Sequence, residues 1–196
     1  MNEDATRPAS DAGRPAAAGP GRGFIVRRTV EADWPEVRAL RLEMLADTPI
    51  AYLETRAQAL RRPEAQWRAW ARDGSSQASI TVVAITDEGR WVATMMSKVP
   101  LGASGAYLYG VYVAPSHRGR AIGVTDDLLG VIEEWAATRG GSLSLEVNED
   151  NARAVAAYRS RGFVETGVTR PYPLDPAQRE LEMRKPLTLA SPPGSR

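Results

Sequence analysis

The chain of 196 residues carries a formal net charge of +1, with 43% hydrophobic and 25% charged residues. That balance is typical of one soluble globular domain and gives no electrostatic footprint for nucleic acid or an anionic membrane surface. Cysteine is absent and His117 is the single histidine, which excludes a disulfide framework, a cysteine nucleophile and a zinc site built mainly from histidines. No apolar run approaches the length of a membrane span, and the N-terminus lacks a secretion-signal pattern, so we predict a cytoplasmic protein.

Both ends of the chain are poor in large apolar side chains. Residues 1–22 are mostly Ala, Gly, Pro, Arg and Asp, and residues 190–196 contain two prolines and a glycine. Such segments bury too little apolar surface to offset the entropy lost on ordering. We therefore expect two disordered tails around one domain at residues 23–189.

The first half of this domain mixes strand and helix patterns. Strand patterns occupy residues 24–26, 78–86 and 91–99, and helical patterns occupy residues 32–46 and 52–70. Asp33 is placed as the N-cap of the first helix, with Pro35 in its first turn. Pro63 is expected to break the second helical stretch, and residues 87–89 form a hairpin turn.

The second half continues the mixture. Strand patterns occupy residues 107–113, 143–147, 163–168 and 180–185, and helical patterns occupy residues 121–138 and 151–160. One face of the longer helix carries the apolar residues Val124, Leu128, Val131, Ile132 and Trp135. The predicted order is β-α-α-β-β-β-α-β-α-β-β, which favours an α/β (α+β) fold with a mixed sheet and helices on both faces.

The sharpest chemical signal is the segment from Tyr109 to Gly123, in which a strand leads through a short loop into a helix. Backbone N–H groups at a helix start are unpaired and favour a phosphate. Gly119 and Gly123 allow an anion to approach the backbone closely, and Arg118 and Arg120 add positive charge beside it. The pattern indicates a pyrophosphate site. On this segment alone, a tight turn with solvated arginines is an equally open alternative.

A second segment, residues 145–163, carries three polar side chains of interest. Glu146 lies on the strand face opposite its apolar neighbours, Asn151 stands where a helix N-cap is wanted, and Tyr158 lies on the helix that follows. Taken one by one, a surface glutamate, a capping asparagine and a half-buried tyrosine explain them as well.

Together the two segments closely resemble the GNAT superfamily of N-acetyltransferases over residues 107–168, and more loosely over residues 24–187. The family's phosphate-loop pattern, Arg/Gln-x-x-Gly-x-Gly/Ala, is matched by Arg118-Gly-Arg-Ala-Ile-Gly123, with Ala121 where the family usually has glycine. The later signature, Asn-x-x-Ala-x-x-x-Tyr followed by Gly-Phe, is matched at Asn151, Ala154, Tyr158, Gly162 and Phe163.

The resemblance implies an acyltransferase that uses acetyl-CoA as donor, requires no metal, and transfers the acyl group directly to an amine in a ternary complex. The strand backbone that would pair with the pantetheine amides belongs to Val111, Tyr112 and Val113. The loop backbone that would hold the pyrophosphate belongs to Arg118, Gly119, Arg120, Ala121, Ile122, Gly123 and Val124. Asn151 would contact the CoA arm, and Tyr158 would protonate the leaving thiolate. In the branch that acetylates ribosomal-protein N-termini, a glutamate in a place comparable to Glu146 serves as base.

Several points stay open at this stage. The family's acceptor walls correspond to residues 47–62 and 169–178, whose candidates Tyr52, Glu54, Arg170 and Tyr172 are more often packing or surface residues than substrate contacts. The acceptor is a small molecule, a protein N-terminus or a lysine, and the donor's acyl length and a homodimer are undecided. The His-x-x-x-Asp motif of another acyltransferase class is absent, because the fourth residue after His117 is alanine. The competing function is a non-catalytic acyl-CoA-binding sensor module.

Overall fold

The computed structural model describes residues 22–189. The predicted tails at residues 1–22 and 190–196 lie outside these described residues, apart from Arg22. The Arg22 guanidinium pairs with Asp127 Oδ1 at 2.5 Å.

Seven strands and five α-helices make up the described domain. The strands are β1 (Phe24–Arg28), β2 (Ser79–Thr86), β3 (Trp91–Lys98), β4 (Ala106–Val113), β5 (Ser142–Asn148), β6 (Val164–Tyr172) and β7 (Asp175–Pro186). The helices are α1 (Trp34–Asp47), α2 (Arg56–Arg61), α3 (Glu64–Asp73), α4 (Val124–Ala137) and α5 (Ala152–Arg159). The strands form one sheet in the order β1-β2-β3-β4-β5-β7-β6, in which only β4 and β5 pair in parallel. The predicted mixed α/β sheet is confirmed.

The second helical stretch is divided at Pro63, as expected, but it begins later than residue 52. Helix α2 starts after Thr55, whose hydroxyl accepts a hydrogen bond from the Gln58 backbone N–H at 3.2 Å. The N-cap prediction for Asp33 is only half right. Asp33 precedes α1, but its carboxylate accepts from the Val30 backbone N–H at 2.8 Å and from Arg27, and so closes the preceding 3₁₀ turn.

Helix α4 begins at Val124 and not at residue 121, which corrects the sequence prediction. Gly123 precedes it with a φ of +81°, a left-handed conformation that a right-handed helix cannot contain. The predicted apolar face is buried: four of its five residues are in the core, and Val131 is packed against it.

Strands β2 and β3 form the centre of the core. Successive residues such as Val82 and Val83 are both buried, so both faces of the sheet are covered. Helices α1 and α3 share one face with Val83 and Met96, while α4 packs on the same two strands from the other side. No helix within residues 22–189 is long and apolar enough to cross a membrane.

Strands β4 and β5 separate after a short parallel contact. Only Ala106 and Tyr107 of β4 are paired with β5, although both strands run on beyond that contact. At the same level the pairing of β4 with β3 slips by one residue around Gly110, which has a φ of +59°. The left-handed φ favours glycine at this bulge, and a Cβ there would also displace the end of the Met96 side chain, 2.1 Å away. The divergence leaves an opening along β4.

Candidate active site

Two clefts border β4 and meet near its bulge. The first, which we call the loop cleft, has a volume of about 520 Å³ and lies between β4, the loop after it and α5. The second, the α2 cleft, has a volume of about 770 Å³ and lies between α2, α3 and the sheet. Both are lined by Ala51, Tyr52 and Leu108, so a molecule in one can approach a molecule in the other.

The loop between β4 and α4 offers an open backbone surface to the loop cleft. Gly119 has a φ of +110°, and no atom lies within 4 Å of the place where its Cβ would be. Gly123 then turns the chain into α4, whose first backbone N–H groups have no partner within the helix. This arrangement suits an anionic group such as a phosphate.

Acidic residues in the first turn of α4 are neutralised by arginines. Asp126 pairs with Arg161 at 2.7 Å, and Asp127 pairs with Arg22 at 2.5 Å. Arg120, which also lines the loop cleft, donates to the Ser160 carbonyl oxygen at 2.7 Å. The carboxylates that would repel an anion at the helix start are therefore offset.

Arg118 lines the loop cleft, and its side chain is held by two protein groups. Its Nε donates to the Val113 carbonyl oxygen at 2.7 Å, and its terminal nitrogen pairs with Asp47 at the end of α1. Burial acts to raise the pKa of Asp47, but hydrogen bonds from Thr48 and Arg118 outweigh it and hold that pKa below its usual value. Arg118 thus ties β4 to α1, and its charge is largely committed to Asp47.

The other residues predicted to bind the donor divide into those that line the loop cleft and those that do not. Val111, Tyr112, Val113, Gly119 and Asn151 line the loop cleft. The residues that do not line it are Ala121, Ile122, Gly123 and Val124, of which Val124 is fully buried in the core. The Asn151 side-chain oxygen accepts from the Ala154 N–H at 3.2 Å, which makes Asn151 the N-cap of α5.

Tyr158 faces the loop cleft from α5. Its ring packs edge-on against Phe163, with centroids 5.6 Å apart. Burial raises the pKa of Tyr158 to about 12, so the phenol is protonated at neutral pH. Among the described residues its hydroxyl has no hydrogen-bond partner, which leaves the proton available to a group in the cleft.

Glu146 faces the α2 cleft, so the two predicted proton carriers belong to different clefts. One Glu146 oxygen accepts from the Tyr107 hydroxyl at 3.1 Å, and the other pairs with Arg170 Nε at 2.9 Å. Burial, and then the Glu146 charge, raise the pKa of Tyr107, which remains a donor. Glu180 lies in the same cleft, and its pKa is raised first by burial and second by the charge of Glu146.

Tyr52 and Tyr172 stabilise the junction of the two clefts. The Tyr52 hydroxyl donates to the Val111 carbonyl oxygen at 3.0 Å, and the Tyr172 hydroxyl donates to the Tyr52 carbonyl oxygen at 3.1 Å. Both rings are buried. Their packing role agrees with the sequence interpretation, yet Tyr52 also lines both clefts.

Sequence reasoning missed several residues of the α2 cleft: Arg41, Arg62, Trp70, Lys98, Tyr107, Tyr109 and Glu180. One of them carried a readable signal. Arg41 lies four residues after Val37 and three before Met44, so the helical period places a charge on the buried stripe of α1.

His117 lines neither cleft, and its Nδ1 contacts the Ser116 hydroxyl at 2.9 Å. Within residues 22–189 no group of three or more His, Asp or Glu side chains is placed to hold a metal ion.

Comparison with curated proteins finds N-acetyltransferases. The chain is 32% identical over 93 residues to the peptidyl-lysine N-acetyltransferase YjaB of Salmonella typhimurium. This alignment covers 43% of this chain and 60% of that protein. It is 41% identical over 75 residues to the N-alpha-acetyltransferase RimI of Mycobacterium tuberculosis, which covers 37% of this chain and 45% of that protein. The chain therefore spans about half the length of these two relatives.

The fold and the family agree with those relatives. A GNAT-family acetyltransferase from Streptococcus pneumoniae superposes with a TM-score of 0.69 over 84% of this chain and 99% of that chain, at 19% identity. A family model described as "Acetyltransferase (GNAT) family" matches residues 39–163. That stretch holds β4, the glycine loop, α4 and α5, and the chain belongs to the acetyltransferase (GNAT) family.

Proposed function

We propose that this protein transfers the acetyl group of acetyl-CoA directly to an amine while both substrates are bound. The observation that carries the proposal is the meeting of the loop cleft and the α2 cleft at Tyr52 and Leu108. One cleft has the features of a phosphate-bearing donor site, and the other has carboxylates suited to an amine. The chain has no cysteine to carry an acyl group, which favours a single transfer step.

The residues of the loop cleft fit the donor. Its open glycine backbone and the start of α4 would hold the pyrophosphate, and the β4 backbone that β5 leaves unpaired would lie along the pantetheine arm. Tyr158 would give its proton to the departing thiolate. Its raised pKa keeps that proton in place until the thiolate forms.

The residues of the α2 cleft fit an amine. An acceptor amine has a pKa of roughly 8–10 in water, so at neutral pH it must lose a proton before it attacks. Glu146 would take that proton, directly or through a water molecule, while Tyr107 and Arg170 hold its carboxylate in place. A backbone N–H of Val111 or Tyr112 would stabilise the oxyanion.

Mass spectrometry tests the proposal. The protein would be incubated with acetyl-CoA and a panel of small amines, amino acids and peptides, and each acceptor examined for one added acetyl group. We expect acetylation of at least one class of amine, dependent on both protein and donor. If the protein binds acetyl-CoA but acetylates no amine, the proposed transfer reaction is wrong. A non-catalytic acyl-CoA-binding module would then be the remaining function.

A further inference from the structure

The wall that α1, α2 and α3 contribute to the α2 cleft contains a buried cluster of unequal charge. Arg41 is 8% exposed, and its Nε donates to one oxygen of Glu54 at 3.0 Å. Arg62 Nη2 donates to the other oxygen of Glu54 at 2.5 Å. One carboxylate therefore serves two guanidinium groups, and the cluster keeps a net charge of +1.

Aromatic rings hold these guanidinium groups by their faces. Trp67 and Trp70 stack at 5.5 Å, and Arg62 lies over both, 4.5 Å and 4.4 Å from their centroids. Arg41 lies 4.8 Å from the centroid of Tyr52. A guanidinium has five N–H donors at its edge, and among the described residues each of these arginines uses one of them in a hydrogen bond. The remaining edge donors are available to a planar anion.

The sheet side of the same cleft carries two carboxylates. Glu146 and Glu180 lie there on β5 and β7. The charge of Glu146 is met by Arg170, whereas Glu180 has no salt-bridge partner among residues 22–189. The α2 cleft therefore has a surplus of positive charge at its helical wall, and its sheet wall holds Glu146 and Glu180 together with Lys98.

The separation of the two ends follows from the sheet. Trp70, beneath Arg62, donates its Nε1–H to Met96 Sδ of β3 at 3.3 Å. Glu146 lies on β5, two strands from β3. Strand β4 lies between them, so the two ends lie over different strands of the sheet.

From this arrangement we infer that the acceptor is an amine that also carries a carboxylate at a distance from the amine. The amine would lie at Glu146 and Glu180, and the carboxylate at Arg62 and Arg41. Arginine pairs with carboxylate in a planar, two-bonded geometry, and an anion there offsets the unmatched charge. A short peptide with a free N-terminus and a free C-terminus carries both groups. The inference rests on the proposed function, because it assigns the acceptor of that reaction.

A matched pair of peptides tests it. Trialanine and trialanine amide share the amine and the length, and differ only in the carboxylate. We expect kcat/KM for acetylation of trialanine to exceed that of the amide by about tenfold or more, as for a charge-assisted hydrogen bond. Equal values for the two peptides would overturn the assignment.

Arg62→Gln makes the test specific. It leaves Glu54 paired with Arg41 and so removes the net charge without stranding a buried carboxylate. The preference for trialanine over its amide should fall to about one. Arg68→Gln is the matched control, because Arg68 is an exposed α3 arginine paired with Glu64 at 2.7 Å and does not line the cleft. A preference that persists in folded Arg62→Gln protein contradicts the inference.

Calorimetry of peptide binding in the presence of CoA separates this inference from the proposed function. If trialanine binds more tightly than its amide but no amine is acetylated, the proposed function is wrong. The assignment of the charged wall would still hold. Acetylation of both peptides at equal rates would support the proposed function and overturn the assignment of the charged wall. Failure of wild-type protein to bind either peptide would also overturn the assignment.

Discussion

The hydroxyl of Tyr52 donates a hydrogen bond to the carbonyl oxygen of Val111, 3.0 Å away, where β4 has left β5. Tyr52 is buried and lines both clefts. Tyr52→Phe should therefore lower the free energy of unfolding by about 1 kcal/mol, because the Val111 carbonyl loses a buried partner. Urea unfolding would measure this.

The matched control is Tyr109→Phe. The Tyr109 hydroxyl has no hydrogen-bond partner among the described residues, although its ring lines the α2 cleft. Equal unfolding midpoints for the two variants would contradict the role given to the Tyr52 hydroxyl.

Gly123→Val should weaken acetyl-CoA binding while the fold survives. A β-branched residue at a φ of +81° is strained by about 1–3 kcal/mol, and relief of that strain would move the first N–H groups of α4. Calorimetry would measure the affinity, and circular dichroism would monitor the fold. Gly130→Ala is the control, because its Cβ would meet no atom within 4 Å inside α4. Unchanged affinity in folded Gly123→Val protein would remove the loop from the donor site.

Tyr158→Phe should leave acetyl-CoA binding nearly unchanged and lower kcat by about 100- to 10,000-fold, because the general acid is lost. Rapid detection of the released thiol would give the rate. The pKa of about 12 predicts that no limb of the wild-type pH profile below pH 10 belongs to Tyr158. A wild-type rate in the variant would leave the proposed chemistry without its acid.

Glu146→Gln should reduce kcat/KM most at neutral pH and less as the pH rises. Above the amine pKa of roughly 8–10 the acceptor is deprotonated without help, so the loss of a base matters less. The measurement is kcat/KM against pH for both proteins with one acceptor. Parallel profiles for the variant and the wild type would exclude Glu146 as the base.

Glu180→Gln should stabilise the protein at neutral pH. The pKa of Glu180 is raised in the folded state, by burial and then by Glu146, so the folded protein holds this proton more tightly than the unfolded chain. The resulting stabilisation is full below the unfolded pKa and disappears as the pH rises through the folded one. Melting temperatures at pH 7 and pH 3 would test this: the gain should appear at pH 7 and vanish at pH 3.

Local patterns predicted the elements and the hairpin of β2 with β3, but not the order of the strands in the sheet. The alternation of Leu143 and Leu145 and the apolar face of α4 were readable, because each depends on neighbours a few residues apart. The insertion of β7 between β5 and β6 was not, because it joins residues far apart in the chain. The start of α4 was misplaced, since the left-handed turn at Gly123 has no signature that separates it from a glycine inside a helix.

The candidate site divides in the same way. Tyr158, Asn151 and the glycine loop were predicted, because a family pattern covers them. The partners of Glu146 were not, since Tyr107 and Arg170 reach it from other strands. The cationic wall was also missed, because Arg41 of α1 meets Glu54 and Arg62, which flank α2, only in the folded chain.

The ion pair between Arg118 and Asp47 has a consequence for how the two substrates affect each other. Asp47 ends α1, and Arg41 lies on the same helix six residues earlier, about 9 Å along its axis. Helix α1 therefore contacts the β4–α4 loop through the Asp47–Arg118 pair and contributes Arg41 to the cationic wall of the α2 cleft. A ligand on one side could change the affinity on the other only by moving α1 or by breaking this ion pair.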